Sequence, residues 1–237
     1  LIKSKNFLGL IVISRPLKKI YLENYNLDES KVIVAPDGAD IFAQTPKLNT
    51  NSRGVNIGYF GHLYKGRGIG LILKLAKKCS WGDFYIYGGT KNDIVSVKKR
   101  ALNIPNVKVK GYIEPQEVQK QIHKMDILLA PYQNKVGLKS GNLTTEKWMS
   151  PLKIFEYMSS MRPMICSDID VLKEVLINNY NCILCNPENV NEWFNALTRL
   201  KEDYSYYQKI SINAQKDILE KYSWRQRVKN ILSSYVS

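Results

Sequence analysis

The sequence has no apolar run approaching the roughly 20 residues that a membrane-spanning helix needs. Its opening, "LIKSKNFLGLIVISRP", lacks the small-residue cleavage site of a signal peptide. These absences argue against a spanning or exported protein. Cysteine is scarce: Cys79, Cys166, Cys182 and Cys185 are too few for a disulfide scaffold and fall mostly in apolar, strand-like runs. That pattern fits a reducing cytoplasm. "CILC" has no second ligand pair, so neither metal binding nor redox chemistry is expected. There is no arginine-rich tract, nucleic-acid motif, internal repeat or low-complexity segment, which argues against nucleic acid as a partner. The first residue is Leu rather than Met, so a piece of a longer protein is expected.

What is present is a chain of 237 residues with 44% hydrophobic content, enough to bury a sizeable core. Thirty-five Lys and Arg against 21 Asp and Glu give a net charge of +14. Such a balance implies anionic partners: phosphorylated ligands, nucleic acid, or the acidic inner face of a membrane, where the protein would sit peripherally, and sign alone does not choose among them.

From residue 54 onward, short apolar runs alternate with longer amphipathic ones, the pattern of a parallel sheet wrapped by helices. The strand-like runs are "VNIGYFG" (55–61), "DFYIYGG" (83–89), "VKVKGYI" (107–113), "DILLAPY" (126–132), "PMICSD" (163–168) and "NCILC" (181–185). Helical periodicity fills the gaps with "IGLILKLAKK", "NDIVSVKKRAL", "PQEVQKQIHKM", "SPLKIFEYMSSM", "DVLKEVLINN" and "NVNEWFNALTRL". The fold class expected is α/β, a doubly wound, Rossmann-like sheet spanning 51–202. Residues 1–50 hold a buried strand "FLGLIVIS", a helix "RPLKKIYLENY", a second strand closing on a turn, and the polar linker "AQTPKLNTNSRG". This is too little for a domain and is expected to be the end of a preceding one. Residues 203–237 read as two terminal helices, with "YSYYQK" an ordinary amphipathic stretch.

In such sheets ligands lie beyond the carboxyl ends of the strands. The loop "GHLYKGRGIG" (61–70) carries Gly61, Gly66 and Gly68 before a helix start, with Lys65 and Arg67 beside them. It can cradle a phosphate, or be a glycine-rich turn with solvated cations. The second loop is "MSPLKIFEYM" (149–158). Ser150 is expected as N-cap and Pro151 as first helical residue, leaving free amides at the strand ends. Lys153, a cation where the helix dipole disfavours one, would strengthen that anion site or else snorkel to solvent. Glu156, one turn on, can accept from two ribose hydroxyls or pair internally with Lys153 or Arg162. His123 in "KQIHKMD" reads as structural.

With these motifs in order, the chain resembles the nucleotide-sugar-binding C-terminal domain of family 4 (group 1) glycosyltransferases, retaining enzymes of the two-domain GT-B type. "VIVAPDGADIF" is similar to the family's interdomain "PNGVD" turn, with Asp37 in place of Asn. "IGYFGHLYKGRGIGLILKLAKK" resembles its phosphate loop, "IPNVKVKGYIEPQEVQKQIHKMDILLAPY" its central section, "SPLKIFEYMSSMRPMICSD" its signature helix, and "YSWRQRVKNILSSYV" its closing helix.

The resemblance implies a donor site at Gly61, His62, Arg67, Tyr112, Ile113, Ser150, Pro151, Leu152, Lys153 and Glu156. Arg67 stands where the family usually has a diphosphate-binding lysine, His62 where it has a second arginine, and Glu156 at the ribose-binding glutamate. Counting back eight from Glu156 gives Trp148, so the family's first glutamate, which touches the donor sugar, is missing, and Glu146 is out of register. Tyr112 and Ile113 match the segment lining the base pocket. The implied activity is retaining transfer of a sugar from a nucleotide diphosphate sugar to a glycan or lipid-linked acceptor, without metal or cofactor, with Arg67 and Lys153 stabilising the departing diphosphate. A binding module for nucleotide or nucleic acid, and an epimerase of the same fold, are the alternatives. The fragment alone is expected to bind nucleotide without transferring sugar, and its helix around Trp224 to expose an apolar face.

Overall fold

Each apolar run of the middle of the chain becomes a parallel strand, and most of the amphipathic runs become helices that return to the next strand. The computed structural model describes residues 2, 4–41, 54–133, 137, 138, 141–144 and 148–236. In chain order the elements are β1 (Leu10–Val12), α1 (Arg15–Tyr25), β2 (Val32–Val34), β3 (Val55–Phe60), α2 (Ile69–Lys78), β4 (Gly82–Tyr87), α3 (Lys91–Ala101), β5 (Val107–Gly111), α4 (Pro115–Ile122) and β6 (Ile127–Ala130). There follow β7 (Gly137–Leu138), β8 (Gly141–Thr144), α5 (Leu152–Ser159), β9 (Met164–Ser167), β10 (Ile183–Cys185), α6 (Val190–Glu202), α7 (Tyr204–Asp217) and α8 (Trp224–Val236).

The main sheet has six strands in the order β10-β9-β6-β3-β4-β5, every pairing parallel. Helices cover both faces. On one side Leu71, Ile72 and Leu75 of α2, Val97 of α3 and Trp193 and Leu197 of α6 pack on Ile57, Phe84 and Ile86. On the other, Ile122 of α4 and Phe155 and Met158 of α5 pack on Phe60, Leu128 and Met164. This is the doubly wound α/β fold the alternation predicts. The winding reverses between β3 and β6, which are sheet neighbours although α2 to α4 separate them in sequence. The crevice at their carboxyl ends is the switch point where such folds hold ligands.

Several details correct the expectation from sequence. The helix expected over 170–179 is only a 3-10 turn at Asp170–Glu174. The asparagines after it take the backbone elsewhere: Asn181 Oδ1 accepts from the Ile177 amide, Asn178 Oδ1 accepts from the Leu184 amide, and Asn179 adopts φ +59°. The "buried strand" of the N-terminal segment is three residues long and half-covered: Val12 is buried while Leu8 and Ile11 are exposed. It pairs in parallel with β2, apart from the main sheet. The antiparallel pair β7–β8 was not expected. The last residues of the "YSYYQKISINAQKDILEKY" run, Ile218–Tyr222, wind as a π-helix. Of the interdomain linker, 43–54, all but Gly54 lies outside the described residues.

Residues 1–41 are tied to the rest at several points. The Arg15 amide donates to the Glu174 carboxylate, Ser14 Oγ to the Trp148 carbonyl at 2.9 Å, and Arg227 Nε to the Pro36 carbonyl at 2.9 Å. Gly38 packs so closely on the chain at Tyr222 that a Cβ would meet its carbonyl at 2.4 Å.

Candidate functional site

The carboxyl ends of β3, β4 and β5 converge with the first turns of α5 on a cavity of about 280 Å³. Its lining includes Gly61, His62, Tyr112, Ile113 and Glu156, residues from three separate stretches of sequence, with Phe60 and Tyr87 beneath them. The backbone turns sharply to make it. Gly61 and Gly88 both have positive φ, and a Cβ on Gly88 would meet the Gly61 carbonyl at 2.2 Å, so the two loops touch backbone to backbone. Phe60 and Tyr87 stack with centroids 4.6 Å apart and planes at 2°, forming a flat apolar floor. Tyr112 is well exposed at the rim.

Helix α5 is held against this floor by Tyr157. The Phe60 amide donates to Tyr157 Oη at 3.0 Å, at the very end of β3. That bond places the neighbouring Glu156 at the cavity. Burial raises the Glu156 pKa, with the Lys153 charge opposing the rise. Arg162 is not its partner: that guanidinium lies at the other end of the helix and donates to the carbonyls of Met125 and His123.

Lys153 points inward. Its ammonium lies 4.4 Å from the ring centroids of both Tyr59 and Tyr132, and 3.6 Å from where a Cβ of Gly61 would be. It is half-buried, beside the Gly61 that lines the cavity, and is drawn onto the two rings. Burial, and then the Arg67 guanidinium, lower its pKa to about 7. Arg67 leans on the same ring, 5.5 Å from the Tyr132 centroid, and donates to Tyr64 Oη. Its Nε is buried without a hydrogen-bond partner among the described residues. Among those residues neither cation is in an ion pair. Two adjacent cations that no carboxylate meets in an ion pair among the described residues form a site with the chemistry to take a polyanion.

The glycine loop positions Arg67. Gly68 caps α2 with φ +75°, and a Cβ there would meet the Pro131 carbonyl at 1.9 Å, so the helix start presses on the end of β6. Lys65 of the same loop is exposed and lies apart, with Gly66, in a second cavity toward α3.

The N-cap expectation shifts by one residue. Pro151 is the cap of α5, Leu152 is its exposed first residue, and Ser150 lies outside the helix. The Ser150 hydroxyl is used across the chain, accepting from the Asp37 amide at 3.1 Å. Burial raises the Asp37 pKa while Arg227 opposes it. The turn resembling the interdomain segment is thus clamped between the α5 start and α8. At the position of the family's first glutamate, Trp148 gives its carbonyl to Ser14, and Glu146 lies outside the described residues. His62 stacks on Tyr64 at 5.1 Å, and its carbonyl accepts from Tyr59 Oη.

Tyr59, Tyr132 and Tyr157 are the members of this arrangement that sequence reasoning missed. Tyr132 closes the run "DILLAPY" at the carboxyl edge of β6, and that placement was the available signal. Tyr59 looks inside β3 like any core residue. Among the described residues no three His, Cys, Asp or Glu side chains stand together to hold a metal, and no helix is long and apolar enough to cross a membrane.

The family described as "Glycosyl transferases group 1" matches residues 54–203. An uncharacterized glycosyltransferase of Methanocaldococcus jannaschii is 30% identical over 80 residues, which are 34% of this chain and 20% of that protein. Among solved structures, Anabaena HepE, described in complex with UDP and glucose, superposes with a TM-score of 0.75 at 14% identity over 97% of this chain and 63% of its own. S. aureus TarM, in complex with UDP among other ligands, gives 0.75 at 20% identity over 97% and 44%. Sucrose-phosphate synthase of Thermosynechococcus elongatus gives 0.73 at 16% over 95% and 57%. At these identities the structural matches show the fold. The chain spans about a fifth of the curated relative and less than two thirds of these solved chains.

Proposed function

The chain belongs to the group 1 glycosyl transferases, and from that premise we propose that it is the donor-binding half of a retaining hexosyltransferase, with a nucleotide diphosphate sugar as donor and a glycan or lipid-linked acceptor. The observation that carries the proposal is the pairing of Arg67 and Lys153 around Tyr132, without a carboxylate partner among the described residues, beside the cavity that Glu156 borders. The diphosphate would lie against these two cations and the ribose hydroxyls against the Glu156 carboxylate. The base would rest near Tyr112 and Ile113, over the Phe60–Tyr87 floor.

When the glycosidic bond to the diphosphate breaks, negative charge grows on the departing oxygen. Arg67 and Lys153, held in place before the reaction, would stabilise it without reorganisation and without a metal. A bound diphosphate also favours the charged form of Lys153, so binding draws a proton onto the lysine at neutral pH.

In this reading residues 1–50 close an acceptor domain, 51–202 bind the donor and 203–237 pack back toward the acceptor domain, which makes 1–237 alone a binder without turnover. Two observations support it. The chain spans less than two thirds of its structural relatives, and α8 exposes Trp224, Val228 and Leu232 at four-residue spacing, one face of a helix. The +14 charge supports a peripheral place at an anionic membrane face.

Titration of the chain with UDP, GDP, ADP and a short DNA duplex tests the proposal. One nucleotide should bind saturably, and more than tenfold more weakly to Lys153→Met, since a charge-assisted contact is worth roughly 1.5 to 3 kcal/mol. DNA binding with a steep salt dependence and no nucleotide site would replace this reading with a nucleic-acid one.

A further inference from the structure

Another cavity, about 610 Å³, lies away from the switch point. It opens on the α4 side of the sheet, between that helix and strands β4 and β5, and reaches the amino ends of β3, β6 and β9 at Asn56, Asp126 and Arg162. It arises because α4 is only eight residues long and must carry the chain from β5, at the sheet edge, across β4 and β3 to β6. So short a crossover leaves the outward face of β4 partly bare, and Tyr85 and Tyr87 form its floor.

Two exposed cations stand at the rim. The Lys110 ammonium lies 5.7 Å from the Tyr85 ring centroid, and Lys124 Nζ donates to Gln121 Oε1 at 3.2 Å, the same oxygen that accepts from Tyr87 Oη. Neither lysine is in an ion pair among the described residues. The other charged groups lining the cavity are Arg162 and Asp126. Arg162 is committed to the Met125 and His123 carbonyls, and Asp126 accepts from the Asn56 amide at 2.7 Å. Lys108, next to Tyr85, is neutralised by Asp83 at 2.6 Å. The lining therefore carries three cations against one carboxylate, with two ammonium groups aimed over aromatic and amide surface.

We propose that this cavity is a binding site for a small organic phosphate, distinct from the donor site, with Lys110 and Lys124 holding the phosphate and Tyr85 the ligand body. Lysine is a point-charge phosphate binder, and an exposed ring face beside it suits the apolar face of a sugar or a similar body. A half-open cavity of about 610 Å³ fits a small molecule better than a lipid surface or a nucleic-acid strand. Tyr87 is a wall of both this cavity and the donor cavity, so the two sites are back to back. The proposal does not depend on the donor reading.

The test is an amide NMR titration of the whole 237-residue chain, saturated with UDP to occupy any nucleotide site, with inorganic phosphate and glucose 6-phosphate as probes. The expected result is saturable shifts at Tyr85, Lys110 and Lys124, stronger for the sugar phosphate. They should weaken by at least about tenfold in Lys110→Ala/Lys124→Ala, whose exposed side chains can be removed without opening the core. Absence of saturable shifts there, or shifts unchanged in the double variant, would overturn the proposal. So would shifts seen only without UDP and confined to Gly61 and Glu156. Co-sedimentation with phosphatidylserine vesicles that needs the two lysines, without a response to either phosphate, would also overturn it and make the cavity rim a membrane-facing patch.

Discussion

Helix α5 carries a cation at each end, and the two are treated in opposite ways. Arg162, three residues past the last turn, is 5% exposed, yet its guanidinium donates to the Met125 carbonyl at 2.7 Å and the His123 carbonyl at 3.0 Å. Those carbonyls close the carboxyl end of α4, where a positive charge is favoured. Lys153, in the first turn, sits where the helix dipole opposes it, between two tyrosine rings and beside Arg67, and its pKa falls to about 7. A buried cation with its acceptors in place holds a fold together. A half-buried one without an ion pair among the described residues, kept next to a second cation, costs stability and is intelligible as half of a binding site.

The largest effect that would sharpen this contrast is the loss of Arg162. Arg162→Ala leaves two carbonyls unpaired at the end of α4, and should cost about 3 kcal/mol or more. That corresponds to a drop in melting temperature of roughly 6 to 12 °C for a chain of this size. Nucleotide affinity, measured on the folded fraction, should hardly move. A variant as stable as the parent would mean that the carboxyl-end cation is not structural.

The opposite signature is expected at the other end. Lys153→Met fits the slot between Tyr59 and Tyr132 without a charge, and should raise stability by about 1 kcal/mol or more while nucleotide binding falls more than tenfold. The stability gain has a pH sign. The folded chain releases the Lys153 proton near pH 7 and the unfolded chain only near its ordinary 10.5, so the parent gains stability as pH rises through that window and the advantage of Met shrinks. Denaturant melts at pH 6, 7.5 and 9 measure this. A smaller change follows Glu156→Gln, which keeps the shape and removes the charge. It should weaken binding of a ribonucleotide by about 1 kcal/mol and of its 2′,3′-dideoxy analogue by much less, and equal losses for both would remove the ribose role.

The six-stranded frame was legible because its signals are local. "VNIGYF" and "MICS" are apolar runs of strand length, and "IGLILKLAKK" carries its helical stripe unaided, so α2 occupies those ten residues. The segment 170–179 misled for the same reason: "DVLKEVLINN" has helical spacing, but the side chains of Asn178 and Asn181 capture backbone amides at Leu184 and Ile177. At the site, the convergence of Gly61, His62, Tyr112, Ile113 and Glu156 on one cavity follows from their placement after successive strands. What could not be read was tertiary. The Ser150 hydroxyl looks like a cap until Asp37, 113 residues away, is seen to donate to it. The tyrosine cage of Lys153 is drawn from the ends of two strands that become neighbours only when the sheet reverses.

The central claim, that Lys153 is held short of its charge until a diphosphate arrives, is tested most directly by calorimetry. The tightest-binding nucleoside diphosphate is titrated into the chain at pH 8 in buffers of different ionisation enthalpy. At that pH the free lysine, with its pKa near 7, is about nine-tenths neutral, so binding should take up close to ~1 proton, and affinity should fall up to about tenfold per pH unit above pH 7. Lys153→Met should abolish the uptake. Binding with no proton uptake by the parent, or with the same uptake in Lys153→Met, would contradict the account.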